Sequence, residues 1–236
     1  MMTVQSGTST GTRFGAAWQM GGTPARKVAG PTESFDLLAE SATRVRVPRG
    51  SELIAEGEDV DFCYKIISGD AMAFKIMSDG HRQVYEFLLP GDYVGFDSQG
   101  SHYFSVEAVT DLVALKYPRR TVERLLAESP PFASAIQRIT ARGLHSAYQR
   151  MVLLTHKSAD ERIAWFLLDM ADRSQSRENI HLAMSRTDIA DYLGMVIETV
   201  SRALTRLKRA GTIAMAGVND VRLVDRERLK FVRGEV

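Results

Sequence analysis

With 236 residues the chain is too long for one small core and too short for three ordinary domains, so two domains are expected. Hydrophobic residues at 44% and charged ones at 25% exclude a disordered or fibrous chain. Against 30 Lys and Arg stand 29 Asp and Glu, a net charge of +1, so any nucleic-acid function has to be local rather than spread over the surface. The single cysteine, Cys63, excludes an internal disulfide and any multi-thiolate zinc or iron–sulfur site. A cytoplasmic, membrane-free protein is expected, because neither an apolar signal core in the first 31 residues nor a long apolar run is present.

Residues 1–34 are rich in Gly, Ser and Thr without any period and read as a flexible arm. From Ala42 to Pro118 short runs of Val, Ile, Phe and Tyr are punctuated by Gly57, Gly69, Gly80 and Gly91, spaced 11 or 12 residues apart. That is the rhythm of strand and turn in an antiparallel roll, with Asp79-Gly80 as a hairpin turn. The roll is expected over residues 35–130.

After Pro118 the period turns helical. Phe132, Ile136, Ile139, Gly143, Ala147, Met151 and Leu154 step by three or four, as in a coiled-coil seam. A helix over 131–156 is predicted, and this stripe is expected to meet the same stripe of a second copy rather than its own roll. Small residues at Gly143 and Ala147 would let two backbones approach.

Ser158-Ala159-Asp160-Glu161 is a capping box and opens both the helix Ala159–Asp172 and the second domain, 157–236. Residues Arg173–Asn179 read as a loop. A second capping box, Ser185-Arg186-Thr187-Asp188, opens a short helix through Leu193, which Gly194 stops in a left-handed turn. A second helix follows with Val200, Ala203, Leu204 and Leu207 on its apolar face, completing a helix-turn-helix. On its other face lie Glu198, Ser201, Arg202, Arg206 and Arg209; with Lys208, four cations oppose one carboxylate, a local +3 in a nearly neutral chain. A carboxylate one turn before an arginine suits major-groove readout, the guanidinium on guanine and the carboxylate on the cytosine amine. Ile197, Glu198, Ser201 and Arg202 are the expected base-reading residues. Ser185, Arg186, Thr199, Arg206, Lys208 and Arg209 are expected at the DNA backbone, adding salt-dependent affinity. Val196, just before this helix, cannot accept an amide hydrogen bond, a lost cap worth on the order of 1 kcal/mol unless phosphate oxygens fill the place. Ile213–Met215 and Val221–Val224 flank Gly217-Val218-Asn219-Asp220 as a hairpin wing.

These residues together resemble the CRP/FNR family of bacterial transcription regulators. The resemblance runs from about residue 35 onward, through Pro48-Arg49-Gly50, Glu56-Gly57-Glu58, Tyr64-Lys65-Ile66-Ile67-Ser68-Gly69 and Pro90-Gly91-Asp92 in the roll. Gly91-Asp92-Tyr93-Val94-Gly95-Phe96-Asp97 is closer to the FNR branch. Ile197-Glu198-Thr199-Val200-Ser201-Arg202 matches the E-x-x-S-R signature of FNR-like and FixK-like members. The resemblance implies an α+β architecture: a cyclic-nucleotide-binding-like β-roll, a long dimerisation helix and a C-terminal winged helix-turn-helix. It implies a homodimer on palindromic double-stranded DNA of the TTGAT-N4-ATCAA kind, and activation through contact with RNA polymerase. The hairpin Ser78–Arg82 and the loop Asp172–Asn179 lie where relatives touch polymerase.

The departures from the family pattern narrow the mechanism. Cyclic-nucleotide members hold the phosphate with an Arg-Ser or Arg-Thr pair, whereas the stretch Phe96–Phe104 has no arginine, so no cyclic nucleotide is expected. The arm lacks the cysteine cluster of oxygen sensors and the late cysteine position falls on Leu115, so no iron–sulfur cofactor is expected. Some FixK-like members carry a reactive cysteine near the first DNA-facing helix, where this chain reads Ala183-Met184-Ser185-Arg186. A ligand-gated or haem-gated regulator of the same fold is the alternative, with His81, His102 and Cys63 as the ligand candidates in the roll. Nothing in the sequence has the spacing of catalytic machinery, so no enzyme is expected.

Overall fold

The computed structural model describes residues 36–96, 100–174, 176 and 178–233. The arm 1–34 and, in the stretch read against nucleotide binding, Asp97, Ser98 and Gln99 lie outside the described residues. A 3-10 turn, Asp36–Ser41, leads into eight strands: β1 (Thr43–Val47), β2 (Glu52–Ile54), β3 (Phe62–Ser68), β4 (Ala71–Ile76), β5 (Arg82–Leu88), β6 (Tyr93–Val94), β7 (Ser105–Ala108) and β8 (Leu112–Pro118). They form two four-stranded sheets, β1-β8-β3-β6 and β2-β7-β4-β5. Every pairing is antiparallel, as the glycine rhythm predicts. Strand alternation decides which side chains meet. Tyr64 and Ile66 of β3 point into the roll with Ile54, Val106 and Leu112, while Cys63, next to Tyr64, points out, toward Tyr117 and Phe132. At the β3–β4 turn only glycine fits: Gly69 has φ +80, and a side-chain carbon there would lie 2.2 Å from the carbonyl oxygen of Asp111.

Helix α1 (Arg119–Glu128) is followed by the long α2 (Pro130–His156). Ser129 separates them; its hydroxyl accepts the amide of Phe132, and prolines fill the first turn of α2, where their missing N–H costs nothing. The apolar stripe of α2 divides in two. Phe132 and Ala135 are fully buried against Leu38, Cys63, Tyr117 and Val122, with Ile136 and Ile139 half-buried on the same cluster. Phe132, predicted at a dimer interface, is therefore core of its own chain. Farther along, Gly143, Ala147 and Met151 are exposed, joined by Leu144, Tyr148 and Val152, while Leu154 is half-buried.

The second domain contains α3 (Ala159–Arg173), β9 (Asn179–His181), α4 (Arg186–Leu193), α5 (Ile197–Arg209), β10 (Ile213–Met215), β11 (Asp220–Leu223) and α6 (Arg226–Arg233). Asn179, placed in a loop by the sequence, opens β9, which pairs with β11 so that the wing belongs to a three-stranded sheet. Three residues are too few to show a period. The closing helix α6 lies beyond the elements expected from the sequence. Core side chains of the two domains are continuous: Met72, Phe74, Val84 and Phe87 of the roll pack with Phe166 of α3 and with Ile189 and Tyr192 of α4. The Phe87 ring lies 6.0 Å from Phe166 and 5.0 Å from Tyr192.

Candidate nucleic-acid interface

The reading head is built from short-range rules. Ser185 and Asp188 exchange the two capping-box hydrogen bonds, 3.1 Å to the Ser185 hydroxyl and 2.8 Å to the Asp188 carboxylate. Gly194 ends α4 at φ 60 and ψ 47, a left-handed residue that glycine adopts without penalty. The turn is then fastened from outside. Arg162 of α3 donates to the carbonyls of Leu193 at 2.9 Å and Gly194 at 3.2 Å, and to those of Leu154 at 2.8 Å and Lys157 at 3.1 Å. One guanidinium thereby joins the end of α2 to the turn of the helix-turn-helix.

From that turn α5 buries Val200, Ala203, Leu204 and Leu207, which leaves Ile197, Glu198, Ser201 and Arg202 exposed on the opposite side. Thr199 is half-buried beside them. The structure thus gathers all four predicted base-reading residues on one open face. Val196 precedes them in extended conformation and provides no side-chain cap, so in the first turn of α5 the Thr199 amide turns to the Val196 carbonyl at 2.9 Å and no side chain accepts from the turn.

The predicted backbone contacts separate into free and committed groups. Lys208 and Arg209 are exposed and form no ion pair among the described residues. Ser185 is exposed and uses its oxygen as a cap acceptor, which leaves its hydroxyl proton to donate. Arg206 is instead clasped by Asp160 of α3, with Nε at 3.0 and 2.9 Å and Nη2 at 2.5 Å from the carboxylate oxygens. Arg186 turns back into the wing, donating to the Val218 carbonyl at 2.9 Å; its Nη1 is buried without a partner, and that burial lowers the guanidinium's pKa. Both were predicted to face DNA, and both are held by their own chain because an acceptor distant in sequence reaches them first.

Of the candidate ligands in the roll, Cys63 is fully buried with its thiol donating to the Gly95 carbonyl at 3.1 Å, His102 is buried, and His81 is exposed. Among the described residues no group of three or more His, Cys, Asp or Glu is placed to hold a metal ion, and no helix is long and apolar enough to cross a membrane.

Two family models match the chain in the order of its domains: the cyclic nucleotide-binding domain over residues 44–129 and the Crp-like helix-turn-helix domain over residues 161–232. The chain is 37% identical over 199 residues to the nitrogen fixation regulation protein FixK of Azorhizobium caulinodans, covering 82% of this chain and 80% of that protein. It belongs to the CRP/FNR family, in the FixK-like branch. The transcriptional activatory protein AadR of Rhodopseudomonas palustris is 34% identical across 83% of this chain and 82% of its own length. In three dimensions, the structure of FixK2 from Bradyrhizobium japonicum superimposes with a TM-score of 0.80 at 35% identity, covering 83% of this chain and 98% of that one. The β-roll, long helix and helix-turn-helix of this FixK-like regulator are therefore the family's own architecture. Its relatives are named as regulators, not enzymes.

The sequence missed three residues that organise the head: Arg162, Asp160 and Arg82. Arg82, on β5, reaches Asp188 and Asp191 of α4. All three act across 31 residues or more, and no local pattern marks such a contact.

Proposed function

We propose that this FixK-like regulator is a dimeric transcription activator that reads an inverted repeat of the TTGAT-N4-ATCAA type without cyclic nucleotide or iron–sulfur cluster. The observation that carries the reading is the open face of α5, where Glu198, Ser201 and Arg202 stand exposed over a fully apolar back. A guanidinium there can bridge guanine O6 and N7, and the carboxylate can accept from a cytosine amine. Around it, Ser185, Thr199, Lys208 and Arg209 supply phosphate contacts that carry affinity but no base preference.

Dimerisation is supported by the outer half of α2, whose exposed Leu144, Tyr148, Met151 and Val152 beside Gly143 and Ala147 make an apolar strip of the kind two copies bury together. Two such heads on a two-fold axis read half-sites one helical turn, roughly 34 Å, apart. Activation, with RNA polymerase as partner, is inferred from relatives named as activators.

The decisive experiment is selection of bound duplexes from a random pool by the purified chain with no small molecule added. The reading expects paired, inverted TTGAT half-sites with a four-base gap. Unpaired half-sites, a different consensus, or no enrichment would overturn it.

A further inference from the structure

Helix α4 is held at both ends by arginines from outside the helix-turn-helix. At its C-terminal end Arg162 binds the carbonyls of Leu193 and Gly194, tying the turn to the end of α2. Nearer its N-terminal end the tie comes from the roll. Arg82, just after the β4–β5 hairpin turn, pairs through Nη2 with Asp188 and through Nε with Asp191, the latter at 3.5 Å. Beside it Gln83 donates to the main-chain carbonyl of Asp191 at 2.8 Å. The guanidinium lies over the Phe74 ring, 5.7 Å from its centroid. Asp188 and Asp191 are both buried; the guanidinium paired with them is that of Arg82, and the His81 ring of the same hairpin lies 3.9 Å from Asp191. The roll thus supplies the counter-charge for two acidic residues of the reading head.

Apolar packing of Phe87 against Tyr192 and Phe166 also joins α4 to the roll, but such packing is non-directional, whereas the Arg82 fork is a directional contact that sets an angle. None of these contacts touches Ile197, Glu198, Ser201 or Arg202, so the Arg82 fork leaves the reading face uncovered. We infer that Arg82 is a specificity-determining residue: by fixing the angle between head and roll, it sets the separation of half-sites that the protein accepts. The inference rests on the dimeric, inverted-repeat reading above. In a two-fold assembly an error in one head's angle is doubled, and it is felt only when both half-sites must be met at once.

The experiment compares Arg82→Met and Arg82→Lys with the unaltered full chain on three duplexes: the inverted repeat with its selected gap, the same repeat with one base pair inserted, and a single half-site. Lysine keeps the charge but, as a point cation, cannot fork across two carboxylates. In case Arg82→Met fails to fold, Arg82→Met/Asp188→Asn/Asp191→Asn removes the stranded carboxylates while the Asn oxygen still caps Ser185. The expected result is that single half-site affinity stays at the starting level, while preference for the selected gap over the inserted one falls by about tenfold, within the usual range of coupling between sites. Unchanged gap preference in Arg82→Lys and in the triple variant would overturn the inference, as would a half-site affinity that falls in step with the rest. An unaltered chain that is itself indifferent to the gap would instead overturn the dimeric reading, and this inference with it.

Discussion

The two ends of α5 are held in opposite ways. At its C-terminal end Arg206 is clasped by Asp160, Arg228 donates to the Ala210 carbonyl at 3.1 Å, and the Thr212 amide closes on the Leu207 carbonyl at 3.1 Å. At its N-terminal end no side chain caps the helix, and Glu198, Ser201 and Arg202 are exposed. Stability is thus gathered at one end and unsatisfied hydrogen-bonding capacity at the other. The free end is the one that a major groove would satisfy.

The sharpest way to break this contrast is to remove chemistry from the free end. Arg202→Ala is expected to cost roughly 1–3 kcal/mol per half-site and to flatten preference at one base position. Equal losses on specific and scrambled duplexes, measured in one titration series, would assign Arg202 to the backbone instead. Supplying the missing cap should move the free end toward the held one. Val196→Ser is expected to raise unfolding stability by about 1 kcal/mol in denaturant melts, since a serine hydroxyl accepts an amide that valine leaves open. The smallest effect belongs to the held end. Asp160→Asn should release Arg206 to phosphate, raising DNA affinity by less than about 1 kcal/mol, because the pair it breaks is exposed. Its signature is the salt dependence: the slope of log affinity against log salt should steepen by about 0.9 for one added phosphate contact. An unchanged slope would show that Arg206 does not reach the duplex.

How much of this was legible in the sequence depended on the range of each interaction. Both capping boxes and the left-handed Gly194 close within three or four residues, and the structure has each where the spacing puts it. The apolar back of α5 is equally local, and its period showed which side would be free. The stripe on α2 is instructive in another way. Its spacing is the same at Phe132 as at Met151, yet one is core and the other exposed, because a period states that a face is apolar and not what covers it. The arginines were hardest. Arg202 and Arg206 lie one turn apart on the same helix, and only the position of Asp160, 46 residues away, separates a free guanidinium from a committed one.

Arg162 spends its donors on four main-chain carbonyls, at Leu154, Lys157, Leu193 and Gly194. Every acceptor in this joint is a main-chain carbonyl, present whatever the side chain at that position. It therefore contains no side-chain acceptor that a point mutation could delete. The long helix and the head behave there like an axle and its wheel, keyed by that guanidinium with Arg150 of α2 stacked over the Tyr192 ring of α4 beside it, so that torque applied to one passes to the other.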